Sequence, residues 1–77
     1  MRFNPKLTIL QNVKLCLALK GKSLEDMAQE VQTTIGALRT RLYAKCGGKK
    51  PSPLDRRILD YIKRNCKGFY TQIQRLS

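Results

Sequence analysis

An all-α fold is predicted for this chain: a compact bundle of about five short helices in which residues 1–77 form one domain. Three features point there. Apolar residues recur at helical spacing along the chain, and no segment alternates as a strand does. Cap residues, prolines and glycines also fall at intervals suited to short helices.

Asn4-Pro5 reads as an N-cap and first helical residue, because proline at that position loses no helical hydrogen bond. The first helix then runs to about Lys20, with Gly21 as its stop. Ile9, Leu10, Val13, Cys16 and Leu17 form its apolar stripe. Leu15 and Leu19 widen that stripe, so the helix is either buried on more than one side or meets a partner. Ser23 caps a second helix, with Asp26 favouring its exposed amides and Leu24, Met27, Ala28 and Val31 as the buried set. Gln32-Thr33-Thr34 interrupts the pattern, and Ile35, Leu38 and Leu42 restart it. Gly47-Gly48 ends the third helix before a basic, flexible stretch, Lys49-Lys50-Pro51. Ser52-Pro53 with Asp55 opens a fourth, burying Leu54, Ile58, Leu59, Tyr61 and Ile62. After a break at residues 65–68, Phe69, Tyr70, Ile73 and Leu76 form a fifth.

Sixteen Lys and Arg against five Asp and Glu give a net charge of +11. Self-repulsion of that size is relieved by a polyanion, nucleic acid before an anionic membrane surface. No apolar run approaches the roughly 20 residues of a membrane span, and the N-terminus lacks a secretory layout. Cys16, Cys46 and Cys66 form no CxxC pair, and histidine is absent. Reduced thiols in a cytoplasmic protein, with no metal and no cofactor, are therefore expected. An enzyme is not, since no nucleophile–base pair or Gly-rich phosphate loop is evident.

The informative stretch is Ser23 to Tyr43, read as a helix-turn-helix. Two short helices cross steeply only where a small residue stands at the crossing, and Ala28 is placed there. Gly21-Lys22-Ser23-Leu24-Glu25-Asp26-Met27-Ala28 resembles the start of the second helix in lambda-repressor/Cro-type helix-turn-helix domains, although Gln32 stands where glycine is usual. Residues 23–58 are also similar to the first helix-turn-helix of AraC-family activators, and Ner-type phage repressors share the overall size and plan. Each resemblance implies sequence-specific binding of double-stranded DNA by a small bacterial or phage transcription regulator.

With Ile35, Leu38 and Leu42 inward, Thr33, Gly36, Ala37 and Thr40 face outward, small enough for close approach to base edges. Thr34 joins this base-reading set, and Arg41 is its candidate for a bidentate guanine contact. Arg39, Tyr43, Lys45, Lys49, Lys50, Arg56 and Arg57 are the expected phosphate contacts. Residues 39–67 carry ten bases against Asp55 and Asp60, whereas Glu25, Asp26 and Glu30 lie on the second helix, which crosses the backbone. The five aromatics form no platform for single strands. The alternative is an adaptor or antagonist that grips RNA polymerase or another regulator through its basic surface. A homodimer is also expected on two half-sites, through the C-terminal apolar set or through Leu15 and Leu19, unless the C-terminal set docks on its own core.

Overall fold

Side-chain caps fix where the helices begin. The computed structural model describes residues 2–76, without the side chain of Leu76, and contains α1 (Ile9–Leu19), α2 (Leu24–Glu30), α3 (Ile35–Tyr43), α4 (Pro53–Asn65) and α5 (Phe69–Leu76). Strands are absent among these residues. Thr8, Ser23 and Ser52 each accept a hydrogen bond from the third helical residue, whose side chain accepts one from the cap's own amide. These reciprocal capping boxes satisfy two otherwise orphaned donors at α1, α2 and α4.

Helix α1 starts later than Asn4-Pro5 predicts. The Asn4 side chain accepts from Lys6 N–H and its carbonyl from Leu7 N–H, so that segment is a turn. Asn12 stabilises it. This fully buried side chain accepts from Asn4 N–H at 2.7 Å and donates to the Asn4 carbonyl at 2.9 Å, so Thr8 becomes the cap.

The ends of α1 and α2 share one device. Lys22 N–H donates to the Leu17 carbonyl and Gly21 N–H to that of Ala18; Thr33 and Gln32 repeat the pattern on Ala28 and Gln29. The motif requires a left-handed residue, which is Gly21 at φ 69° in one case and Gln32 at φ 60° in the other.

A second departure follows α3. The helix ends at Tyr43, and Lys45, Cys46 and Gly47 all have positive φ (54°, 53°, 77°), making one tight left-handed turn in place of a continued helix. Burial of Cys46 and the hydrogen bonds Gly47 N–H to Ala44 and Gly48 N–H to Lys45 hold it.

The core runs through every helix. Val13 and Leu17 of α1, Met27 and Ala28 of α2, Leu38 and Leu42 of α3, Ile58 and Ile62 of α4, and Phe69 and Ile73 of α5 are all buried in one cluster. Leu54 and Ile35 pack against its edge, half-buried. Phe69 also meets Phe3 edge-on, with ring centroids 5.3 Å apart. Phe69 and Ile73 therefore dock on the chain's own core, with Tyr70 half-buried against it, and the Leu76 side chain lies outside those described. Leu15 and Leu19 stay exposed. No helix of the described residues is long and apolar enough to cross a membrane.

Candidate nucleic-acid interface

Helix α3 is seated by Leu38 and Leu42, both buried, and by its contacts with α1 and α2. That fixes its rotation and turns residues 36 and 40 outward. Gly36 is exposed, and a Cβ built on it meets no atom within 4 Å. Thr40 is exposed one turn on, its hydroxyl donating to the Gly36 carbonyl at 3.0 Å. Thr33 and Ala37 are half-buried beside them. Thr34 is exposed, and its hydroxyl caps α3 by accepting from Ala37 N–H at 3.1 Å. Five of the six residues expected to read bases thus lie on or next to one uncharged face.

Arg41 is the exception. Its side chain turns to α4, where Nε donates to Asp55 Oδ1 at 2.6 Å and Nη2 to Oδ2 at 2.8 Å. Asp55 is fully buried and also accepts from the amide and hydroxyl of Ser52, each at 2.8 Å. Burial pushes this carboxyl's pKa up, yet Arg41 and Ser52 more than reverse that and hold it below the ordinary value. The carboxylate takes Nε–H and one Nη2–H, which leaves the Nη1 donors and the second Nη2–H on the far edge of the guanidinium. The ion pair ties α3 to α4 and fixes the orientation of the Arg41 guanidinium.

The expected phosphate contacts divide among three places. Tyr43, highly exposed, and Lys45 line a shallow cleft with Pro5, Leu7 and Thr8 at the start of α1. Arg39 lies one turn before Tyr43 on α3, in a separate cleft shared with Lys14, Ala18, Lys22 and the acidic Glu25. Lys49 and Arg56 instead line a cleft against Tyr70 and Gln74 of α5, so they are not brought beside the outward face of α3. Lys50 is exposed after the left-handed turn. Arg57 is exposed, but its Nε donates to the Val31 carbonyl at 3.0 Å, holding α4 to the end of α2. Tyr61 adds a second tie through its hydroxyl, which donates to Glu30 at 2.8 Å.

Lys14 and Lys22 were not singled out by the charge pattern, yet they share the Arg39 cleft. Helical spacing of Lys14 and Ala18 is their only sequence signal; their nearness to α3 is a tertiary fact. Lys22 also pairs with Glu30 at 3.4 Å. Burial pushes the Cys46 and Cys66 thiols up to about 12, so both are protonated at neutral pH. Among the described residues, no group of three or more His, Cys, Asp or Glu could hold a metal. No protein family, curated protein or solved structure matches the chain.

Proposed function

We propose that α2 and α3 act as a helix-turn-helix that reads double-stranded DNA, and that the protein is a sequence-specific transcription regulator of bacterial or phage type. The observation that carries the reading is the outward face of α3. Gly36, Thr40, Ala37, Thr33 and Thr34 make it small and uncharged, and Arg39 and Tyr43, one turn apart, border one edge of it, with Lys14 beside Arg39 and Lys45 beside Tyr43. A major groove accepts a helix whose contact face is short, with hydroxyls and methyls at base edges and cations at a phosphate ridge. The net charge of +11 supplies the sequence-independent share of affinity.

The resemblance to lambda-repressor/Cro-type domains supports the same reading. The Schellman-type turn at Gln32 supplies the left-handed residue that the motif requires where glycine is usual. A cytoplasmic location follows from the proposed target.

Selection from a randomised duplex library, followed by anisotropy across a salt series, tests this. The expected result is a defined site bound with a log–log salt slope of about −0.9 per phosphate neutralised. Recovery of no preferred sequence, or affinity indifferent to salt, would overturn it.

A further inference from the structure

The C-terminal ends of α1 and α4 and the start of α5 enclose a cleft of about 310 Å³ whose lining includes no residue of α2 or α3. Its floor is apolar, formed by Cys66 and Phe69, and Leu19 stands at its wall. Cys16 and Asn65 also line it, and Lys20, Arg64 and Lys67 supply three cations with no carboxylate among the described lining residues. Leu19 is 72% exposed and Leu15, one turn earlier on α1, is 47% exposed, the two large aliphatic side chains left most exposed among the described residues. An apolar recess with a cationic rim calls for an occupant that brings both an apolar side chain and negative charge.

Three occupants fit poorly. A duplex offers phosphates to the rim but no apolar group to the floor. A membrane would need a projecting apolar face, and Cys66 and Phe69 are recessed, at 2% and 1% exposure. A second copy would bring Lys20, Arg64 and Lys67 against a rim of the same sign.

We propose that this cleft docks an acidic amphipathic segment of a partner protein. One large apolar side chain of that segment sits over Phe69 against Leu19, and its carboxylates meet Lys20, Arg64 and Lys67. Recognition of a segment by a few apolar anchors in a groove, with charge setting orientation, is a common mode of docking. The inference does not depend on the duplex reading, because the two surfaces share no residue and can be occupied together.

The probe is a fluorescein-labelled peptide carrying one leucine flanked by glutamates, titrated with the full chain by anisotropy. Replacing the peptide leucine with serine should weaken binding by about tenfold or more. Leu19→Glu and Lys67→Glu, both at exposed positions, should each weaken it similarly while the far-ultraviolet circular dichroism stays unchanged. Equal binding of the leucine-free peptide would reduce the contact to charge alone and overturn the proposal, as would indifference to both variants. Sedimentation showing a dimer that Leu19→Glu dissolves would give the cleft to a second copy. Leu19-dependent binding to phosphatidylglycerol vesicles would give it to a membrane, and displacement of the peptide by duplex DNA to nucleic acid. Each of those outcomes also overturns it.

Discussion

Arg41 and Asp55 form a two-point ion pair, at 2.6 and 2.8 Å, that joins the last turn of α3 to the first turn of α4. Gly47 closes over it. A Cβ at that position would stand 2.7 Å from Asp55 Oδ2 and 3.3 Å from Arg41 Nη2, so a side chain there would have to displace the ion pair. The carboxylate is fully buried, while the Arg41 side chain keeps 31% of its surface exposed.

That asymmetry predicts unequal single variants. Arg41→Met strands a buried carboxylate with only Ser52 as partner, at a cost of about 3 kcal/mol for the unpaired Asp55. Asp55→Asn leaves an arginine that can turn into water and should cost less. Arg41→Met/Asp55→Leu should recover most of the loss, since an apolar pair carries no desolvation penalty. Urea unfolding of the four proteins gives the order. A smaller loss in Arg41→Met than in Asp55→Asn would contradict it.

The same pair sets an acid limit. The folded-state pKa of Asp55 lies below its unfolded value of about 3.9. Its contribution is therefore fully present above that value and disappears as pH falls through the folded-state pKa. Stability of the parent chain should fall more steeply below about pH 4 than that of Asp55→Asn, whose amide does not titrate. Parallel slopes for the two proteins in acid urea titrations would show that other carboxylates govern acid unfolding.

The sequence makes some of this visible and hides the rest for identifiable reasons. Ser23 with Asp26 and Ser52 with Asp55 are local signals, so the starts of α2 and α4 fall where the spacing places them. At α1 two local signals compete, Asn4-Pro5 and Thr8 with Gln11, and the choice is made by Asn12, whose burial depends on the finished fold. The stripes of α2 and α3 are legible because each is one face of a short helix. The tie from Arg41 to Asp55 is hidden from the same reasoning: the partner is 14 residues away, and periodicity places a side chain near a face without saying where its end goes. The turn at Lys45 and Cys46 is equally hidden, because residues other than glycine rarely adopt positive φ.

Gln32 offers a stability test that leaves the proposed interface intact. Its φ of 60° is costly for a side-chain-bearing residue, and the equivalent position after α1 is Gly21. Gln32→Gly should stabilise the fold by about 0.5–1 kcal/mol, the relief of the left-handed strain less the added freedom of the unfolded chain. Thermal melts measure this directly, and a lower melting temperature would mean that the Gln32 side chain contributes more than its backbone costs.

Gly36 separates stability from binding most sharply. It lies in the first turn of α3 at ordinary negative φ, where glycine is worse than alanine by about 0.5–1 kcal/mol, and nothing in the protein occupies the space a methyl would take. On folding grounds alone alanine is the better residue. The face it shares with Thr40 has another use for the missing side chain if α3 lies in a groove, because only a bare backbone lets the helix approach base edges closely. Gly36→Ala should therefore melt at a higher temperature, and Gly36→Leu should fold as well as the parent. Affinity for the selected duplex should fall several-fold in the first and by about a hundredfold in the second, since the larger side chain blocks the approach of the whole helix. Binding to unselected duplex, which depends on the flanking bases, should change little in either. Unchanged affinity of Gly36→Leu for the selected site would mean that this face of α3 does not meet DNA, whatever the rest of the surface binds.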